Sequence, residues 1–322
     1  MKKENKKIIV ILGPTASGKS ELAVKVARWL STEKSQKKFG IKGAEIISAD
    51  SRQVYKGMDI GTGKITKKEM QGIPHHLLDV ASPKRKFTVV QYRKFALRAM
   101  NKILKKDKIP ILCGGTGFYI KAVIDGIYIP PVPPDWKLRK ELEKKSPEEL
   151  YKMLKKLDPE RAKTIEKKNK RRLIRAIEIV EKLGKVPPFE KNPLPYPVLM
   201  LGIKKDKEEL KILIKKRLKK RLREGMVDEV KKLKESGVSW QRLEEFGLEY
   251  KWIARYLQNK ITYQQMFNNL EKDIEGYARR QMTWFNHQFD DFTADQRIYW
   301  VKNYEESQNL IKDFLEKNKG KV

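Results

Sequence analysis

Lys19 and Ser20 stand directly behind a glycine-bounded turn, Gly13-Pro14-Thr15-Ala16-Ser17-Gly18. A lysine followed by a hydroxyl at this spacing is the chemistry of a phosphate site. The glycines let backbone N–H groups turn inward around phosphate oxygens, and Pro14, Thr15, Ala16 and Ser17 complete the cradle. A helix that begins at its end adds the positive end of its dipole. Lys19 supplies a point charge, and the Ser20 hydroxyl is the expected ligand of a magnesium ion held against phosphate oxygens.

A second cluster follows in the long polar segment Ser48–Lys64, which begins Ser48-Ala49-Asp50-Ser51-Arg52-Gln53. Asp50 closes a short apolar run, where three roles are open to it. It can hold magnesium as in hydrolytic phosphate-loop enzymes, act as a base facing a second substrate, or cap a helix. The length and polarity of the segment favour the lining of a pocket. Thr116 follows Gly114-Gly115, again between an apolar run and a helical pattern, and reads equally as a ligand or a helix cap. His75 and His76 follow Pro74 without a third clustered metal-binding side chain, so they read as structural or loop residues.

These residues need a sheet edge to converge on. Ile8–Leu12, Glu45–Ser48 and Ile109–Cys113 are buried-strand runs, each ending at one of the polar clusters. Helical patterns over Glu21–Leu30 and Thr88–Leu104 alternate with them. Strand, turn, helix, strand is the order of a parallel sheet with crossover helices, an α/β fold. The proline hinge Ile129–Pro134 interrupts this pattern. Asp135–Leu183 is nearly all helix former, with Pro147 and Pro159 placed for first helical turns. A second Pro-rich stretch ends the module, and Val198–Ile203 reads as a strand again. The organisation is therefore a discontinuous α/β core, residues 1–128 and 196–302, with an all-helical insertion, 129–195. The chain after Ile203 reads as helical, and residues 303–322 as a charged helix or frayed tail.

Of 322 residues, 73 are Lys or Arg and 41 are Asp or Glu, a formal charge of +32. Such an excess repels itself unless a polyanion shares it, which points to a nucleic acid or an anionic surface, with a solvated lysine-rich surface as the bland alternative. The lone Cys113 excludes a disulfide framework and any zinc site built from several cysteines, and fits a reducing compartment. No apolar run is long enough to span a bilayer, so the chain reads as cytoplasmic and without a membrane partner.

The segments "GPTASGKS", "ISADSRQVYKGMDIGTGK", "PHHLLDV", "CGGTGFYI", "RRLIRAIEI", "FGLEYKWIA" and "RRQMTWF" occur in that order. Together they resemble the tRNA isopentenyl transferase family, the bacterial tRNA dimethylallyltransferases, from Ile8 to about Phe285. The resemblance implies a P-loop NTPase-like parallel sheet and a reaction between dimethylallyl diphosphate and the exocyclic amine of the adenosine immediately 3′ of the anticodon in tRNA. It implies that the phosphate loop, Gly13–Ser20, seats the diphosphate of the isoprenoid. Asp50 becomes the general base, Thr116 a contact to the reacting base, and Arg217 a further clamp on the leaving diphosphate. Ser51, Arg52 and Gln53, with Arg171, Arg172, Leu173, Ile174 and Arg175, match tRNA-contacting segments, and Arg139 matches an isolated contact. Arg221 departs from the pattern, standing where the family has Met. The target base is stacked in the anticodon loop, so it must be flipped into a pocket by an enzyme with a basic grip on the stem-loop. Trp284 and Phe285 read as core anchors.

The expected cofactor is magnesium, the expected partners are the tRNA anticodon stem-loop and dimethylallyl diphosphate, and the protein is expected to act as a monomer. Three rivals remain on sequence: a phosphate-loop small-molecule kinase, a prenyltransferase acting on free adenylate, and a non-catalytic RNA-binding module. The charge and the helical insertion argue against the second, because a free nucleotide needs no large basic platform.

Overall fold

Among the described residues, six short segments, five of them mainly apolar, make one sheet. They are β1 (Ile8–Leu12), β2 (Ala44–Ser48), β3 (His75–His76), β4 (Ile109–Gly114), β5 (Val198–Ile203) and β6 (Ile298–Val301), in the order β3-β2-β4-β1-β5-β6. Every pairing is parallel. The computed structural model describes residues 6–188, 190–287 and 298–317, so most of the basic N-terminus and the last residues of the tail lie outside the described residues.

Successive side chains of a strand point to opposite faces, and both faces here are covered, so the strands read as unbroken apolar runs. Ile8, Val10 and Leu12 face one core, together with Ile47, Leu112 and Met200. Ile9 and Ile11 face the other, with Ile46, Ile111 and Leu201. Helices Val89–Lys105, Gly117–Ile124 and those between Lys207 and His287 cover the first face, and helices Lys19–Leu30 and Glu33–Phe39 the second. The helix at Val89 starts with a full capping box, in which Thr88 and Gln91 satisfy each other's backbone N–H.

Contact density divides the chain into two compact units, Met1–Asp125 with Pro193–Val322, and Gly126–Asn192. The second unit contains helices Trp136–Leu142, Pro147–Leu157, Pro159–Thr164 and Lys170–Leu183. Ser146 and Asp158 cap two of them, with Pro147 and Pro159 in the first turns. The unit has a core of its own, built around Leu150, Leu154, Leu173 and Ile177.

Of the two readings of the tail, the helix holds. Residues Tyr304–Glu316 form a helix whose Ile311 and Leu315 are buried in the second core. Buried Lys7, just before β1, donates through Nζ to the carbonyls of Phe314 and Leu315 at 2.5 and 3.0 Å. A cation at a helix C-terminus satisfies carbonyls that have no partner within the helix.

Candidate active site

The carboxyl ends of β1, β2 and β4 bring the predicted clusters to one edge, with β4 between the other two. Ligands of open α/β sheets bind in the crevice outside such ends. After β1 the chain turns at Gly13, whose φ is +157°. A Cβ there would lie 2.8 Å from the Ile203 carbonyl, so only glycine fits. Ala16 takes φ +64°, a left-handed conformation that costs a non-glycine residue about 1–2 kcal/mol. Gly18 precedes the helix that opens with Lys19 and Ser20. Among the described residues the buried Ser17 hydroxyl meets no hydrogen-bond partner. An orphaned polar atom inside a strained turn is the mark of a loop shaped for an incoming ligand.

Three cations gather here. Lys19 Nζ donates to the Pro14 carbonyl at 3.2 Å. Burial lowers its pKa, with Arg217 and Arg221 adding repulsion and Asp50 opposing it. Arg217 donates to the Thr15 hydroxyl. Burial, then Arg221, press its pKa down, and Glu249 and Asp50 offset this. Lys19 and Arg217, pressed down chiefly by burial, would be stabilised by an incoming anion such as a diphosphate.

The departure at Arg221 has a structural account. Its guanidinium is buried, pairs with Glu249 at 3.6 Å, donates to the Gly61 carbonyl at 3.3 Å and presses against Gly63. The paired Glu249, whose pKa burial raises, lies in the "FGLEYK" segment. Arg221 therefore secures the loop after β2 as well as adding charge.

Asp50 caps a local turn. Its Oδ1 accepts from the N–H of Arg52 at 2.8 Å and of Gln53 at 3.3 Å. Thr116 Oγ1 accepts from the N–H of Ser51 at 3.0 Å, and its own N–H donates to the Ala49 carbonyl at 3.1 Å. Thr116 is the residue before helix Gly117–Ile124, but its side chain does not cap that helix. It is spent across the strands, positioning the turn that carries Asp50. Tyr277 also bonds to Thr116, and burial raises the Tyr277 pKa. Arg52 and Gln53 bind neighbouring loops: Arg52 donates to the Phe246 carbonyl at 2.9 Å, and Gln53 to the Gly63 carbonyl at 3.2 Å.

Two residues that sequence reasoning passed over hold this edge together. Glu229 accepts from the N–H groups of Asp59, Ile60 and Gly61 and from the Tyr250 hydroxyl, at 2.6 to 3.0 Å. Gln281 bonds both Thr15 and Gly115. Gln281 sits inside "RRQMTWF", so the signal was the motif; Glu229 gives no sign in the sequence beyond a helix start. Phe285 is buried in the core, and Trp284 packs over Gly117. His76 serves the sheet and not a ligand, pairing with buried Glu45 at 2.7 Å. Burial alone would raise Glu45, but hydrogen bonds from Lys108, His76 and Lys106 outweigh it and hold it at about 2.

Within the helical unit the predicted RNA contacts separate. Arg171 and Arg172 are exposed at the start of their helix. Leu173 and Ile174 are corrected: both are buried in the unit's core, so their side chains cannot read RNA. Arg139 binds the fully buried Glu178 through two bonds, 2.9 and 2.7 Å, and Arg175 pairs with the same carboxylate. Burial would raise Glu178, and these arginines and the Asp135 N–H pull its pKa below the ordinary value.

Among the described residues no group of three or more His, Cys, Asp or Glu side chains could hold a metal. No described helix is long and apolar enough to cross a membrane.

A parallel sheet with a strained glycine turn running into a lysine-headed helix defines the P-loop class of phosphate-binding α/β proteins. The comparisons narrow this. The family model "IPP transferase" matches residues 53–288, more than half of the chain. A tRNA dimethylallyltransferase of Syntrophus aciditrophicus is 41% identical over 87% of this chain and 89% of its own. One of Geotalea uraniireducens is 38% identical over 95% and 97%. Among solved structures, the tRNA isopentenylpyrophosphate transferase of Bacillus halodurans superposes with a TM-score of 0.69 at 33% identity, covering 97% of both chains. A eukaryotic dimethylallyltransferase acting on tRNA reaches 0.78 at 26% identity, covering 97% of this chain and 80% of its own. The chain belongs to the IPP transferase family.

Proposed function

We propose that the protein transfers the dimethylallyl group of dimethylallyl diphosphate to the exocyclic amine of the adenosine immediately 3′ of the anticodon in tRNA, releasing pyrophosphate. One observation carries this reading: the glycine turn with Lys19 and Arg217 and the turn that carries Asp50 share one sheet edge, joined through β4. The relatives matched over most of the chain are named for prenyl transfer and not for phosphoryl transfer, which supports it over a kinase.

In the reaction the allylic C–O bond breaks and a C–N bond forms to the adenine amine. The electron pair of the C–O bond leaves with pyrophosphate, and the amine loses a proton. Charge therefore develops on the leaving oxygens, and cations aimed there lower the barrier. Lys19, Arg217 and the backbone N–H groups at the head of helix Lys19–Leu30 would serve that task. Asp50 takes the proton. Its Oδ1 is engaged by two backbone N–H groups, while Oδ2 has no partner among the described residues. Thr116 holds the Asp50 turn beside the acceptor.

The lone hydroxyl of Ser20, exposed at the head of its helix, fits a magnesium ion that arrives with the diphosphate more than one caged by protein side chains. Ser20 and the diphosphate oxygens would hold it, and its charge would offset that developing on the leaving group.

The helical unit, through Arg171 and Arg172, supplies part of the basic grip on the anticodon stem-loop, and the excess of +32 follows from that substrate. The enzyme acts as a cytoplasmic monomer. Incubation with radiolabelled dimethylallyl diphosphate and unmodified tRNA, without ATP, should place label in the RNA. A transcript with guanosine at the target position should take none. Label in free adenylate only, ATP-dependent phosphorylation, or RNA binding without turnover would overturn the proposal.

A further inference from the structure

Gln281, near the end of helix Tyr263–His287, is 7% exposed and far in sequence from both loops it touches. Its Oε1 accepts from the Thr15 N–H at 2.8 Å, and its Nε2 donates to the Gly115 carbonyl at 2.8 Å. The orientation of the amide follows from its neighbours, since a backbone N–H must face oxygen and a carbonyl must face nitrogen. A Cβ on Gly115 would lie 2.3 Å from Nε2, so the close approach depends on that glycine. Thr15 also receives Arg217 on its hydroxyl, and Thr116, the next residue after Gly115, holds the N–H of Ser51. One side chain thus joins the loop that carries the diphosphate cations to the loop that supports the Asp50 turn.

We infer that Gln281 is a positioning residue that sets the spacing between donor and acceptor, and so governs the rate of transfer more than the binding of either substrate. The inference rests on the proposed prenyl transfer. Bringing two bound reactants into line is worth many kcal/mol, and a displacement of about 1 Å costs roughly a hundredfold in rate. A residue that only supported the fold would change stability and leave the turnover of folded enzyme intact.

The test compares wild type, Gln281→Leu and Gln281→Glu for turnover at saturating donor and tRNA, donor affinity and thermal stability. Gln281→Leu loses both hydrogen bonds, and kcat should fall about 10- to 100-fold while KM for each substrate stays within about threefold. Gln281→Glu keeps the acceptor for Thr15 and regains a donor for Gly115 only when protonated. Its kcat relative to wild type should therefore rise as pH is lowered. If Gln281→Leu does not fold, the pH ratio of Gln281→Glu alone decides. Turnover of folded variants within twofold of wild type, or a flat pH ratio, would overturn the inference. Wild type that transfers no label to tRNA would remove the proposed function and this inference with it; an active wild type beside unaffected variants removes this inference alone.

Discussion

Replacing Asp50 by asparagine separates its two tasks. The amide oxygen of the substituted side chain can still accept from the N–H groups of Arg52 and Gln53, which lie at 2.8 and 3.3 Å from the native carboxylate oxygen. The turn should stand while the proton acceptor is gone. A positioned general base contributes about 10²–10⁴ in rate, equivalent to about 2.7–5.4 kcal/mol, and kcat should fall by that factor. Asp50 also sets a negative charge near Lys19 and Arg217, which offsets part of the positive charge that meets the anionic donor. Donor affinity should therefore hold or tighten. Asp50→Ala removes the acceptor as well, leaving two half-exposed N–H groups to water, and should add a stability loss of about 1–3 kcal/mol to the same loss of rate. Single-turnover transfer to an anticodon stem-loop, donor titration by calorimetry and a thermal melt read the three quantities. Asp50→Asn within tenfold of wild-type turnover would refute the assignment of the base.

Removing the exposed Arg171 and Arg172 should weaken tRNA binding and flatten its dependence on salt by about 0.7–0.9 per lost phosphate contact; filter binding across a salt series measures the slope. Arg139→Ala breaks a bidentate pair with buried Glu178, which keeps Arg175 and the Asp135 N–H, and should destabilise the helical unit by about 1.5–3 kcal/mol, visible as a lowered melting temperature. Donor affinity should weaken at alkaline pH. Burial lowers the Lys19 pKa in the free enzyme, and a bound diphosphate raises it, so affinity is full below the free-enzyme value and declines as pH rises through it. Calorimetry from neutral to alkaline pH should show this decline in wild type and lose the Lys19 component in Lys19→Met.

The central strands were legible because each is an apolar run closed by turn residues, and β1, β2, β4 and β5 fall where that pattern puts them. β3 is two residues at the sheet edge, and β6 is four, too short for a periodic signal. The helix Tyr304–Glu316 was open to reading, but its docking was not, since the buried Ile311 and Leu315 are spaced among charged residues. At the site, the phosphate loop was readable from spacing alone, and Asp50 and Thr116 from their positions after apolar runs. Gln281 and Glu229 were not, because their importance lies in backbone groups distant in the chain that no local pattern announces. Arg139 and Arg175 show the converse: the same residue type that grips phosphate also neutralises the buried Glu178, and sequence alone does not distinguish the two.

β1 lies between β4 and β5, and both neighbours come much later in the chain. On the ribosome the strand that leads into Gly13 emerges early and waits for residues through Ile203 before it is flanked on both sides. The helical unit closes its core from neighbouring segments within Gly126–Asn192, and local contacts form faster than distant ones. Assembly is thus ordered by synthesis: the insertion can settle while the nascent chain is still without a finished sheet, and a product truncated before β5 would leave β1 with one edge unpaired.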